Sequence, residues 1–166
     1  MTNLQTIFEV PGAFPGDLRQ CLEGRTLVRL VFEALHAVEQ EEAQVSGAKP
    51  LPPGLPRVWL SVLTFSYASG LYPSDEIELQ MASDPELRYL SANAAPSAAE
   101  LRRCRRQHRA LLQRTLSRVL RLAWEGQQPW NWRDKMSSQD LVAFCDSAAR
   151  VRLEQAVLAD TMALHT

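Results

Sequence analysis

The spacing of apolar residues along this 166-residue chain is helical throughout. Apolar side chains recur every three or four positions, and no segment alternates apolar and polar residues as a half-buried strand does. Apolar residues make up 46% of the chain and charged residues 22%, a balance that supports a buried core and excludes a wholly disordered chain. The length accommodates one ordinary domain. The pattern therefore predicts an all-α single domain of five to seven helices, with one long Arg-rich helix.

Turn and capping residues divide the chain into three parts. We expect a turn-rich N-terminal segment over residues 1–24 and a helical body over residues 25–124. A Trp-containing linker and a C-terminal helix packed on the same domain follow over residues 125–166. Four Pro and two Gly between residues 47 and 56 predict a non-helical connection. The predicted helices cover residues 26–44, 57–68, 74–82, 85–90, 97–124 and 137–164.

Local signals support several of these boundaries. Gly70 is placed to close the second helix as a C-cap. Asp84 followed by Pro85 is typical of an N-cap with proline in the first turn. Two further pairs, Asp75 with Glu78 and Ser97 with Glu100, have capping-box spacing.

Charge is segregated along the chain, although its net charge is only −1. The chain has 16 Arg and 2 Lys against 19 acidic residues. Residues 97–124 hold eight of the Arg against a single acidic residue, Glu100, while the rest of the chain is acidic on balance. One strongly positive element in an acidic protein indicates an anionic partner.

A helical wheel of residues 97–124 separates an apolar face from an arginine face. Arg105 lies on the boundary between the two. The apolar face spans about 140° and comprises Leu101, Cys104, His108, Leu111, Leu112, Leu116, Val119, Leu122 and Ala123. The arginine face comprises Arg102, Arg103, Arg106, Arg109, Arg114, Arg118 and Arg121.

We interpret these seven arginines as a face that binds double-stranded DNA. Arginine neutralises phosphates, with release of counterions, and can bind phosphate or guanine in a bidentate manner. A second interpretation stays open, in which the face pairs with acidic residues of the same protein, such as Glu39, Glu41 and Glu42, or with an acidic protein partner.

Three stretches resemble a known family in their order and spacing. Residues 52–70 form a proline-led helix that ends in Tyr67-Ala-Ser-Gly70. Residues 74–90 form a short helix and a segment that ends in Tyr89-Leu90. Residues 95–108 contain a Pro, a capping Ser and the run Cys104-Arg-Arg-Gln-His108. Over residues 51–123 the chain thus resembles the N-terminal helical domain of bacterial insertion-sequence transposases of the DDE class.

This resemblance implies a DNA-binding protein without catalytic activity. The catalytic domain of such transposases is a ribonuclease-H-like sheet that holds divalent metal on three carboxylates. The 42 residues after Trp124 are too few for it and are helical in pattern, so we expect a truncated or domesticated transposase and no enzyme. The chain departs from the family at Asp75 and Glu76, where basic residues are usual, and at Cys104, where Phe is common.

The remaining candidate side chains favour structural roles. His108 is expected in the core with a satisfied hydrogen bond. Glu33, His36 and Glu39 form only half of a di-iron motif, so no metal is expected. Three tryptophans near the end of the long helix either cap the core or stack on bases or a partner: Trp124, Trp130 and Trp132. We expect no small-molecule cofactor, since no glycine-rich phosphate-binding motif occurs.

The C-terminal helix has an apolar stripe with two interpretations. Its residues either close the core or form a homodimer, and the sequence does not decide between them. The stripe comprises Leu141, Cys145, Val151, Leu158 and Met162.

Cysteine usage and the N-terminus bear on the location of the protein. Cys21, Cys104 and Cys145 follow no disulfide or zinc spacing and are expected as free thiols in a reducing cytoplasm. Neither a signal peptide nor a stretch long enough to span a membrane is expected. We therefore expect a cytoplasmic protein without a membrane partner.

Overall fold

The structure of the protein is a computed structural model that describes residues 14–22, 24–47, 55–126 and 137–165. Within these ranges it contains a short 3₁₀ helix, Leu18–Cys21, and seven α-helices, with no strand. The α-helices are α1 (Leu27–Ser46), α2 (Leu55–Ala68), α3 (Ser74–Met81), α4 (Pro85–Ser91), α5 (Ala98–Gln107), α6 (Arg109–Glu125) and α7 (Ser138–Leu164). The predicted all-α class is confirmed.

Helix α2 lies at the centre and contacts α1, α4, α5, α6 and α7. Every residue from position 60 to position 68 is buried, as its apolar character on nearly all sides predicts. Helix α6 packs between α1 and α7, while α3 packs on α4, α5 and α7. One hydrophobic core therefore includes residues from every described helix.

The predicted cap of α4 is present, and α1, which was expected to begin near residue 26, is capped by Thr26. The Thr26 hydroxyl accepts a hydrogen bond from the Arg29 amide, and the Asp84 carboxylate accepts one from the Glu86 amide at 2.8 Å. Helix α2 begins two residues earlier than expected, at Leu55. Pro56 lies in the first turn of this helix. Proline is compatible with that position because backbone amides of a first turn have no hydrogen-bond partner within the helix, so the amide that proline lacks is not needed.

The predicted Asp75–Glu78 capping box is wrong. Helix α3 begins without a local side-chain cap, and the Ser74 amide donates instead to Asp160 of α7, at 2.8 Å. Glu78 accepts a hydrogen bond from the Ala98 amide, also at 2.8 Å, and so caps the neighbouring helix α5. Asp75 and Glu78 have the spacing of a capping box. The spacing did not reveal that the hydrogen bonds of Ser74 and Glu78 are formed with residues of other helices.

The single long helix predicted over residues 97–124 is divided at His108 into α5 and α6. His108 has φ −120° and ψ 31°, outside the helical region. Neither Gly nor Pro occurs here, and the two halves share α2 as a neighbour but otherwise pack on different helices, α5 on α3, and α6 on α1 and α7. We attribute the break to this packing, which also leaves His108 only half-buried.

Gly70 closes α2 as predicted and has a second role. Its φ of +83° belongs to the left-handed region, and the following Leu71 amide donates back to the Ser66 carbonyl at 2.8 Å. A Cβ at this position would lie 2.8 Å from the carbonyl oxygen of Gly16. Glycine is therefore required both by the turn and by the approach of the N-terminal segment.

Arg152 of α7 fixes that N-terminal segment against the end of α2. Its buried guanidinium donates to the carbonyls of Pro15 and Gly16, at 2.7 and 2.9 Å, and to those of Tyr67 and Ala68, at 2.8 and 3.2 Å. Burial lowers the pKa of Arg152. Carbonyls at a helix C-terminus carry partial negative charge and so stabilise the buried cation.

Candidate nucleic-acid interface

The seven predicted DNA-binding arginines fall into two groups, separated by the break at His108. We call Arg102, Arg103, Arg106 and Arg109 the α5 arginine group, although the last of these is the first residue of α6. The α6 arginine group consists of Arg114, Arg118 and Arg121. The two groups have different environments.

The α6 arginine group is paired with carboxylates of the same chain. Arg114 contacts Glu42 at 2.5 Å and Glu41 at 3.8 Å, and Arg118 contacts Glu41 at 3.0 Å. Arg121 lies 3.7 Å from Glu125, one turn further along α6. The intramolecular pairing considered from sequence is therefore observed here for Glu41 and Glu42. The third acidic residue considered, Glu39, instead forms an ion pair with Arg57.

The α5 arginine group is largely unpaired. Arg103, Arg106 and Arg109 are exposed, and the structure shows no ion pair between them and the residues it describes. Arg102 is partly buried, with its Nη1 atom 3.8 Å from the Asp75 carboxylate, and that nitrogen has no hydrogen-bond partner in the described part of the chain. This group therefore presents positive charge that the protein does not neutralise.

A cleft with a volume of about 310 Å³ separates α5 from α7, beside this group. Arginines form one wall and the aliphatic side chains of α7 contribute the other. The lining residues are Arg102, Arg105, Arg106, Arg109, Leu153, Val157, Asp160, Thr161 and Leu164. We call this space the α5–α7 cleft.

A buried polar network lies at the inner end of the α5–α7 cleft. Arg105 donates to the Asp160 carboxylate at 2.5 Å and to the Tyr67 hydroxyl at 3.3 Å. Asp160 also accepts hydrogen bonds from the amide and hydroxyl of Ser74, at 2.8 and 2.7 Å. Burial raises the pKa of Tyr67 to about 12. Because each charge has a partner, the network joins α2, α3, α5 and α7 without leaving an isolated ion.

Sequence reasoning missed this network for an identifiable reason. Arg105 lies on the boundary of the helical wheel, and Asp160 follows the buried positions Leu153 and Ala156 at helical spacing. That spacing was a usable signal that Asp160 faces inward. Its partner on α5 could not be identified from the sequence.

The three tryptophans and the candidate metal ligands of α1 differ in whether they are buried, exposed or outside the described residues. Trp124 is buried, with its ring centroid 5.7 Å from that of Phe14 and 5.8 Å from that of Phe144, so it packs in the core. Trp130 and Trp132 lie outside the described residues, as does most of the Pro-rich connection. Glu33 and His36 are exposed, and within the described ranges no group of three potential metal ligands occurs.

The apolar stripe of α7 divides into two parts. Leu141 is half-buried and Cys145 is buried, so they close the core. Val151, Leu158 and Met162 are 50%, 59% and 62% exposed. The sequence offered core closure or dimerisation for the whole stripe, and among the described residues only its first part packs in the core.

The three cysteines are free thiols, as predicted. Burial raises the pKa of Cys104 to about 11 and that of Cys145 to about 12. Cys21 is half-buried and donates to the Leu18 carbonyl at 3.2 Å. Among the helices that the structure describes, none is sufficiently long and apolar to cross a membrane.

Comparison with protein-family models, with curated proteins and with solved structures finds no match. The resemblance to the transposase N-terminal domain stays a prediction. The site is therefore interpreted below from its own geometry and charge.

Proposed function

We propose that the protein is a non-catalytic DNA-binding protein that docks on duplex DNA through the α5 arginine group. The observation that carries this proposal is the environment of Arg103, Arg106 and Arg109, which are exposed and have no ion-pair partner among the described residues. Arg103 and Arg106 lie one turn apart on α5, and Arg106 and Arg109 line the same cleft across the break at His108, so successive side chains are close enough to reach neighbouring phosphates. The resemblance to the transposase N-terminal domain supports the same function.

The size of the α5 arginine group sets the expected salt dependence. The α6 arginine group is already paired with carboxylates, so we assign docking to four arginines instead of the seven that the helical wheel indicates. With a slope of about 0.9 per neutralised phosphate, four contacts predict a loss of affinity of roughly a hundredfold between 50 and 200 mM salt. The measurement is fluorescence anisotropy with a random-sequence duplex at the two salt concentrations.

Two charge-matched variants test the assignment. Arg102→Gln/Arg106→Gln/Arg109→Gln removes three charges from the α5 arginine group, and Arg114→Gln/Arg118→Gln/Arg121→Gln removes three from the α6 arginine group. At 50 mM salt we expect the first variant to lose at least fiftyfold in affinity. The second should lose less than fivefold, because its charges are already compensated. Equal losses would contradict the assignment, as would retained affinity in the first variant.

Charge reversal separates DNA binding from an internal structural role. We expect Arg102→Glu/Arg106→Glu/Arg109→Glu to keep its helical circular dichroism spectrum and thermal transition while it loses DNA affinity. Unfolding of this variant would show that the arginines stabilise the protein from within.

An acidic protein partner is the second candidate function. The observation in its favour is that Arg114 and Arg118 already bind carboxylates of α1, so arginines of this region are suited to acidic helices. A helical interaction module of this kind would show no DNA binding at 50 mM salt while the wild-type fold is intact.

A further inference from the structure

The two walls of the α5–α7 cleft differ in chemistry. Arg102, Arg106 and Arg109 line one side, whereas Val157 and Leu164 contribute aliphatic surface on α7. A duplex lying along the exposed side of α5 would not need the aliphatic side. The cleft is therefore suited to a ligand that has both an anionic end and an apolar or aromatic body.

The charges in the cleft favour a ligand with more than one negative charge. Asp160 is the only carboxylate among the lining residues, and Arg105 together with both Ser74 donors already compensates it. Asp75 lies 3.8 Å from Arg102 but its side chain is 63% exposed, so solvent screens that contact. The cleft therefore keeps an excess of positive charge around Arg106 and Arg109.

One of the lining arginines, Arg102, has an unsatisfied donor. The Nη1 atom of Arg102 is buried and has no hydrogen-bond partner in the described part of the chain. Buried donors of this kind are usually satisfied by another group, and an oxygen of a bound anion would satisfy this one. A phosphate monoester has up to two negative charges at neutral pH and three acceptor oxygens.

Size limits the ligand to a small molecule or to one nucleotide of a strand. The volume of about 310 Å³ lies at the lower end of the range of about 300–1,000 Å³ that is usual for small-molecule sites. A base pair within a duplex is too wide to enter. An unpaired nucleotide has its phosphate at one end and its base at the other. The phosphate can therefore contact the arginine wall while the base contacts the aliphatic wall.

We propose that the α5–α7 cleft binds a nucleoside 5′-monophosphate group, with the phosphate on Arg102, Arg106 and Arg109 and the nucleoside against Val157 and Leu164. The group comes either from a free mononucleotide or from the 5′-phosphorylated end of a strand. Docking of duplex DNA uses three of the same arginines but not the aliphatic wall, so a change in that wall distinguishes the two.

Calorimetric titration tests the ligand class. The probes are deoxyadenosine 5′-monophosphate, deoxyadenosine and inorganic phosphate, each added to the full chain at low salt without duplex. We expect the monophosphate to bind at least tenfold more tightly than either fragment. Equal binding of the monophosphate and deoxyadenosine would overturn the role of the arginines. Equal binding of the monophosphate and inorganic phosphate would overturn the role of the aliphatic wall, and no binding of the monophosphate would overturn the whole proposal.

Matched variants locate the site. Arg106→Gln should weaken binding of the monophosphate at least tenfold, whereas Arg114→Gln should leave it unchanged. Val157→Asn should weaken it similarly, whereas Val151→Asn, which makes the same change on α7 outside the cleft, should not. Equal effects of the two arginine variants would show non-specific attraction and contradict the proposal.

Strand ends distinguish the two sources. Single strands of one sequence, labelled at the 3′ end and carrying a 5′-phosphate or a 5′-hydroxyl, are compared by anisotropy. Tighter binding of the phosphorylated strand, lost in Val157→Asn, assigns the cleft to strand ends. Equal binding of the two strands, with the mononucleotide still bound, assigns it to free nucleotides. Because Val157→Asn leaves the charge of the α5 arginine group unchanged, duplex binding by this variant reports on the proposed function separately.

Discussion

Single residues decide how the charged positions of this chain are used. Arg105 and Arg106 are adjacent and chemically identical, yet the first is 6% exposed in a network with Asp160 and Tyr67 while the second is exposed. Burial of a charge is tolerated only where a partner compensates it. Residue type alone therefore does not separate a docking arginine from a structural one.

Alkaline pH should destabilise the protein through three buried acids. Burial raises the pKa of Cys104 from about 9 to about 11, of Cys145 from about 9 to about 12 and of Tyr67 from about 10 to about 12. The unfolded chain therefore loses these protons at a lower pH than the folded chain. The contribution of these groups to the free energy of unfolding is fully present below about pH 9 and is lost as the pH rises towards 11–12. The loss is about 1.4 kcal/mol per pH unit for each group that is ionised only in the unfolded state.

Urea denaturation between pH 8 and pH 11 measures this loss of stability. Tyr67→Phe should reduce the slope of the free energy of unfolding against pH above pH 10. Tyr89→Phe, which alters an exposed phenol, should leave the slope unchanged. A free energy of unfolding that is constant from pH 8 to pH 11 would contradict the inference.

Elements decide which side chains share a surface. The break at His108 leaves both helices in contact with α2 but sends α5 to α3 and sends α6 to α1 and α7, so an arginine face that is continuous on a helical wheel becomes two surfaces. Helix α6 brings Arg114 and Arg118 to the acidic end of α1, whereas Arg103 and Arg106 of α5 have no ion-pair partner among the described residues. Helix packing, more than helix formation, therefore determines which arginines are available to a ligand.

The capping box of α5 gives a prediction at this scale. Ser97 accepts a hydrogen bond from the Glu100 amide at 3.2 Å, and Glu100 accepts one from the Ser97 amide at 2.8 Å, as the spacing predicts. Ser97→Ala should lower the free energy of unfolding by about 1 kcal/mol. The control is Ser147→Ala at an exposed position within α7, which should not destabilise the protein. Equal stability of Ser97→Ala and the wild type in urea denaturation would contradict the role of the cap.

At the scale of the whole molecule, α7 connects distant parts of the chain. Its Arg152 holds the N-terminal segment on α2, its Asp160 reaches α3 and α5, and its Cys145 and Leu153 complete the core. The outer surface of the same helix keeps Val151, Leu158 and Met162 exposed. Large apolar side chains on one exposed face favour association with another surface.

A homodimer through this face of α7 is our prediction for the assembly. We expect sedimentation velocity to show a dimer that Leu158→Glu dissociates, because the substitution places a charge in an apolar contact. Leu79→Glu, at a 74% exposed position on α3, is the matched control and should leave the dimer intact. A wild-type protein that sediments as a monomer at high concentration would contradict this prediction.

The sequence by itself determined the helices and much of the core. Apolar spacing identified the all-α class and most of the buried positions of α5 and α6, and local signals at Asp84 and Ser97 placed two helix starts. Gly70 marked the end of α2. These features could be read from the chain because a helix and its caps depend on residues at most four positions apart.

Only the tertiary structure decided which charges are free. Glu41 and Glu42 compensate the α6 arginine group across 72 to 77 positions of sequence, and Asp160 compensates Arg105 across 55. The sequence indicated an arginine face and acidic residues that could form ion pairs with it. It did not indicate which arginines these acidic residues would pair with. Ion pairing depends on distances of a few ångströms between side chains, and those distances are set by how whole helices pack.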